Sequence, residues 1–110
     1  MPERSLGVVW PNGTRKRATV NESDPTLPVR CSSYRVQHWP GNTGTGYVGG
    51  TEMEFSSGQD VYGYILPPSD PSSEPYEPTD DTADSYPHDM KNIYIDAEND
   101  TDKFLVTIMV

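Results

Sequence analysis

Cysteine is almost missing from this chain: Cys31 is the single thiol among 110 residues. One thiol makes no internal disulfide and no CxxC metal or redox pair. It sits in an alternating run, where the expectation is a small buried hydrophobe. Long apolar runs are missing too, and nothing approaches the ~20 residues of a membrane helix. The start, Met1-Pro2-Glu3-Arg4-Ser5, has no apolar core of a secretory signal, so none is expected. Positive charge is scarce, with 8 Lys and Arg against 17 Asp and Glu. A net charge of −9 disfavours nucleic acid and anionic membrane as partners. Histidine occurs only at His38 and His88. With Cys31 they offer no close ligand pair for zinc. Nothing resembles a nucleophile elbow, so no catalytic residue, cofactor or metal is assigned and the chain is read as a non-enzyme.

What the chain does hold is glycine (9), proline (11) and tyrosine (7). With only 33% apolar residues, this composition predicts strands and loops with little helix. At this length one domain is expected, able to bury roughly two thirds of its unfolded surface. The charge is uneven. Residues 69–102 carry eleven acids against Lys91 alone, whereas residues 1–37 carry six bases against three acids.

Residues 6–10 form a short apolar run that stops at Pro11-Asn12-Gly13, a turn signal. Residues 14–20 follow, with Arg15, Lys16 and Arg17 adjacent. Residues 1–27 are therefore read as a basic arm or a hairpin. Asp24-Pro25 and Leu27-Pro28 disfavour helix and mark a linker. Residues 29–39 are the longest strand candidate, and imperfect alternation there predicts a bulge or burial on two sides. A turn at 40–44 and a return strand at 46–49 complete an expected hairpin over 34–50. Ser56-Ser57-Gly58 is a further turn, and residues 61–66 are a strand ended by Pro67-Pro68. Residues 69–87 hold four prolines and six acids and read as a long surface loop. Residues 92–97 are a strand, and 98–102 a hairpin turn. Residues 103–110 are the most apolar strand, expected to be covered on both faces. Such a series predicts an all-β fold, a β-sandwich or small barrel over residues 28–110.

Three patterns carry chemical meaning. Gly44, Gly46 and Gly49 match G-x-G-x-x-G, but the nine residues that follow are too short for the helix a dinucleotide needs. Asp96, Glu98, Asp100 and Asp102 alternate as oxygen ligands for Ca²⁺ can, yet no EF-hand framework surrounds them, and a solvated turn is expected. Tyr34, Trp39, Tyr47 and Tyr62 could make an aromatic platform for sugar, against the commoner use of such rings in packing. The sequons at Asn12, Asn21 and Asn99 are chance matches without a signal peptide.

Taken in order, certain segments are familiar. They are Pro28-Val29-Arg30-Cys31, Tyr34-Arg35-Val36-Gln37, the Asn42-Thr43-Gly44 turn with Tyr47-Val48-Gly49, Ser56-Ser57-Gly58, Leu66-Pro67-Pro68, and the strands at 93–97 and 104–110. This order resembles small phage virion structural proteins, and among them capsid decoration (cement or staple) proteins. The resemblance covers residues 28–110, and the segment 69–87 stands where it implies only a short loop. It implies a β-sandwich or jelly-roll-like fold and a non-enzymatic protein on the outer capsid surface, made in the host cytoplasm. The implied partners are the major capsid protein and copies of itself, as a dimer or trimer on a symmetry axis. Arg15, Lys16, Arg17 and Arg30 are the expected capsid-binding residues. The alternative is a tail or fibre component that holds a host glycan.

Overall fold

The computed structural model describes residues 3–20, 23–51, 63–66 and 88–109. The acidic segment 69–87, the Ser-Ser-Gly turn and Tyr62 lie outside them. Nine strands are described: β1 (Glu3–Val9), β2 (Lys16–Arg17), β3 (Arg30–Cys31), β4 (Ser33–His38), β5 (Gly46–Gly49), β6 (Gly63–Leu66), β7 (His88–Asp89), β8 (Tyr94–Ala97) and β9 (Phe104–Met109). One 3₁₀ turn, Met90–Asn92, separates β7 from β8. All pairings are antiparallel. The strand orders are β1-β9-β4, β2-β8-β5-β6 and β3-β7. The chain is therefore all-β, with no α-helix among the described residues.

One hydrophobic cluster draws on all three sheets. Leu6, Val9, Tyr34, Val36, Phe104, Val106 and Ile108 come from the first; Val48, Leu66, Ile95 and Ala97 from the second; Cys31 from the third. Period-two alternation explains the selection, since Phe104, Val106 and Ile108 share one face of β9 and all are fully buried. The other face of β9 is less covered than its apolar run predicts: Thr107 is buried, but Leu105 and Met109 are only half-buried. The apolar character of β9 reflects its central place, with β1 on one edge and β4 on the other.

The expected hairpins are the main correction. β4 pairs with β9, whereas β5 pairs with β8 and β6, so residues 39–45 carry the chain from one sheet to another. The turn at 98–102 does likewise, from β8 to β9. So does the Pro11-Asn12-Gly13 turn. Asn12 and Gly13 have φ of 50° and 86°, and the Thr14 amide donates to the Pro11 carbonyl at 3.1 Å, as the Asn-Gly signal requires. Yet β1 joins β9 and β2 joins β8, so the two do not form a hairpin with each other, and each is built into a different sheet. Leu6, Val9 and Ala18 belong to the shared core, and their burial outweighs the local turn preference.

The three crossovers lie at one end, because Val9 and His38 are both opposite Phe104. Side chains lace them together. The Asn42 carboxamide behaves like a strand residue toward Lys103: its Oδ1 accepts the Lys103 amide at 3.1 Å and its Nδ2 donates to the Lys103 carbonyl at 2.6 Å. That fixes the orientation of the amide, so the same Nδ2 donates to His38 Nδ1 at 2.8 Å. In return the buried Asp102 carboxylate accepts the Thr43 amide at 3.1 Å and the Gly44 amide at 2.8 Å. Trp10 Nε1 donates to the Asp100 carbonyl at 2.6 Å, tying the first crossover to the third. The Lys103 ammonium lies 5.9 Å from the Trp10 ring and 5.4 Å from the Trp39 ring.

Gly46 faces the Phe104 ring so closely that a Cβ would come within 2.5 Å of it. Gly46→Ala should therefore destabilise the fold by about 1–3 kcal/mol, as overpacking does. Thermal unfolding should show the loss, with Gly50→Ala as the neutral control because nothing lies within 4 Å there. Asn42→Ala removes the acceptor of the Lys103 amide and one of two donors to the Lys103 carbonyl, which keeps the Trp39 amide at 3.0 Å, and should cost about 1–3 kcal/mol by denaturant titration.

Candidate functional site

The densest positive surface is at the β2 rim of the four-stranded sheet. Lys16 is opposite Ile95 and Arg17 opposite Tyr94. Ile95 points into the core, so alternation turns Tyr94 and Asp96 to the other face, together with Arg15 and Arg17. The Arg15 guanidinium lies 4.8 Å from the Tyr94 ring centroid and that of Arg17 lies 5.2 Å away. Arg15 Nη1 donates to the Thr51 carbonyl at 2.6 Å, and Arg17 Nη1 to the Lys91 carbonyl at 2.7 Å. These groups, with Lys16, Val20 and Pro25, line an open cleft of about 340 Å³.

The cleft's far wall is held by its own hydrogen bonds. The Ala18 amide donates to the Ile93 carbonyl at 2.9 Å, and Thr19 Oγ1 donates to the Pro25 carbonyl at 3.2 Å. Asp24 is turned toward Thr26, whose amide and hydroxyl donate to its Oδ1 at 2.9 and 2.7 Å. Those bonds hold the Asp24 carboxyl below its ordinary range, with a smaller contribution from the charge of Arg17.

Of the four expected capsid-binding residues, Arg15, Lys16 and Arg17 line the cleft together. Arg30 is exposed on β3, opposite Asp89 of β7, and does not line it. Tyr94 is the component that sequence reasoning missed. Alternation along residues 92–97 sets it on the same face as Asp96, but only the pairing with β2 brings it between two arginines.

The other chemical patterns resolve into structural roles. Asp102 is spent on two amides, Asp96 Oδ1 accepts the Ala97 amide at 2.8 Å, and Glu98 Oε1 accepts the Thr45 amide at 3.4 Å. Among the described residues no group of three or more His, Cys, Asp and Glu is placed to hold a metal. Gly46 and Gly49 of the glycine motif lie in β5. Cys31 is buried opposite His88, and burial first, then the Asp89 charge, pushes its thiol up to about 11. Of the rings of the aromatic platform, Tyr34 and Tyr47 are buried and Trp39 is half-buried, while Tyr62 lies outside the described residues; Trp10 is 50% exposed. Among the described residues no helix is long and apolar enough to cross a membrane.

The chain matches no family model, no curated protein and no solved structure.

Asp96 lies opposite Tyr47 on the face that carries the cleft, only 1% exposed. Burial raises its carboxyl, against smaller lowering effects from the Ala97 amide and the Arg15 charge. A carboxyl raised on folding favours the folded state below its unfolded pKa and loses that contribution as pH rises through the folded value. Asp96→Asn, which keeps an acceptor for the Ala97 amide, should therefore raise Tm at pH 7. The gain should vanish as pH falls below 3.8, the ordinary value for Asp. Melting curves from pH 3 to pH 7 check the direction.

Proposed function

We propose that this chain is a non-enzymatic bacteriophage virion protein, a decoration or cement protein that binds the outer capsid surface and stabilises it. In this reading the two larger sheets are the faces of a β-sandwich of jelly-roll type, and the shared core between them makes it a stiff block. The observation that carries the reading is the cationic rim. In a chain of net charge −9, Lys16 and Arg17 form β2, with Arg15 directly before it, and β2 ends the described four-stranded sheet. A rim of this kind suits an acidic protein surface, and a terminal strand suits extension by a strand from a partner. The major capsid protein is the partner of that chemistry. Repetition on a capsid lattice, as dimers or trimers on symmetry axes, multiplies weak contacts into firm attachment. The reactive side chains are used for structure: the Cys31 thiol is held protonated and Asp102 is bound to backbone amides.

Virions from which this protein has been deleted should release DNA at a lower temperature than complete ones. Adding the purified protein back should restore the release temperature. Identical release curves with and without it would sink the reading.

A further inference from the structure

The β2 rim holds its charges in a fixed arrangement. Each of Arg15 and Arg17 has a backbone carbonyl at one nitrogen and the Tyr94 ring beside its guanidinium plane. Those two contacts set position and orientation before any ligand arrives, so less side-chain entropy remains to be lost on binding. A guanidinium presents its N–H groups as a planar fork that matches a carboxylate two at a time. Arg17 presents such a fork beside the Tyr94 ring, and the charge of Arg15 at the same ring adds to the pull on a carboxylate there.

The rest of the lining decides what carries that carboxylate. Val20, 38% exposed, and Pro25 add an apolar wall beside the cations, with exposed Lys16 also in the lining. The volume of about 340 Å³ is near the low end of the ~300–1,000 Å³ of ligand pockets. The cleft is open along one side. Such a shape takes the side chains of an extended peptide better than a small molecule that must be enclosed. The positive spot also sits on a chain whose net charge is −9, so acidic segments are repelled elsewhere and guided here.

We propose that the cleft formed by Arg15, Tyr94 and Arg17 recognises an acidic peptide segment, with a carboxylate on the Arg17 guanidinium, in the field of Arg15 and Lys16, and an apolar side chain against Val20 and Pro25. The site's chemistry stands by itself; only the source of the segment, the capsid surface, rests on the function proposed above.

The probe is a fluorescein-labelled peptide, Glu-Leu-Glu-Pro-Leu-Glu, with a control in which Gln replaces each Glu. The natural chain should bind the acidic peptide, more weakly as salt rises, and should not bind the control. Arg15→Lys combined with Arg17→Lys keeps the net charge but removes both guanidinium groups, and should weaken binding about tenfold. Tyr94→Phe keeps the ring and should bind like the natural chain. Amide chemical shifts of the natural chain, which need no variant to fold, should move at residues 15–20 and 91–95. Equal binding of the Gln peptide, full affinity in the double-lysine variant, or shifts confined to other residues would each overturn the proposal. So would displacement of the peptide by equimolar inorganic phosphate, which would mark a plain anion site. Self-association through this rim without peptide binding would assign it to a second copy and overturn it as well. Virions lacking the protein separate the two readings. If the double-lysine variant loses the peptide yet attaches normally, the cleft is not the capsid contact and the virion function stands. If the natural chain binds peptide but no virion, the cleft stands and the virion function falls.

Discussion

Two side chains, Asn42 and Asp102, hold the sheets of this protein in register with each other. Each belongs to a crossover between sheets, and each accepts hydrogen bonds from the backbone of the other crossover. The exchange is reciprocal: Asn42 takes both polar groups of Lys103, and Asp102 takes two successive amides beginning one residue after Asn42. A buried carboxylate is tolerated only when it is hydrogen-bonded, and each oxygen of Asp102 accepts one amide. The consequence is geometric. With residues 39–45 and 98–103 locked side by side, β4 and β9 enter one sheet together while β5 and β8 pair in another. The small residues at this corner follow from the same closeness. Gly44 lies against Asn99 and Gly46 against Phe104, and in each case a Cβ would come within 2.6 Å of a neighbouring atom.

The cationic rim is a distant consequence of that lock. β8 is placed by its pairing with β5, and β2 can only add at the free side of β8. Register then sets Arg17 opposite Tyr94 and leaves Arg15 one step further, on the same face as Asp96. The first crossover must therefore bring the chain to this side. Trp10 secures it there through the Asp100 carbonyl, beside Lys103. The corner that joins the sheets and the rim that presents the charges are thus two ends of one set of constraints.

Strand positions were largely legible in the sequence, because alternation and turn residues are local properties. The runs at 93–97 and 104–109, the Asn12-Gly13 turn and the short Gly46–Gly49 strand all lie where patterning places them. Pairing was not legible. A turn of five or six polar residues reads as a hairpin loop, and nothing local distinguishes it from a loop that changes sheets. The difference lies in Asn42 and Asp102, sixty residues apart and unremarkable singly. The acidic alternation at 96–102 misleads for a related reason. It resembles a cation site because its carboxylates are evenly spaced, whereas in the fold Asp96, Glu98 and Asp102 accept from different amides. The same limit governs the site: three adjacent cations are visible in the sequence, but Tyr94 becomes their partner only through the β2–β8 register.

Charge follows the same logic of position over composition. A chain with twice as many acids as bases would be expected to display an acidic surface throughout. Here Asp96 and Asp102, two of the acids closest to the rim and corner in sequence, are 1% and 2% exposed. Asp24, beside the cleft, is turned onto the amide and hydroxyl of Thr26. Asp96 and Asp24 lie near enough for the charges of Arg15 and Arg17 to act on them, yet their hydrogen bonds go to the Ala97 amide and to Thr26. The positive character of the rim is therefore not set by the bases alone. It depends also on where the fold puts its nearby acids, whose carboxylates accept from backbone amides and from the Thr26 hydroxyl.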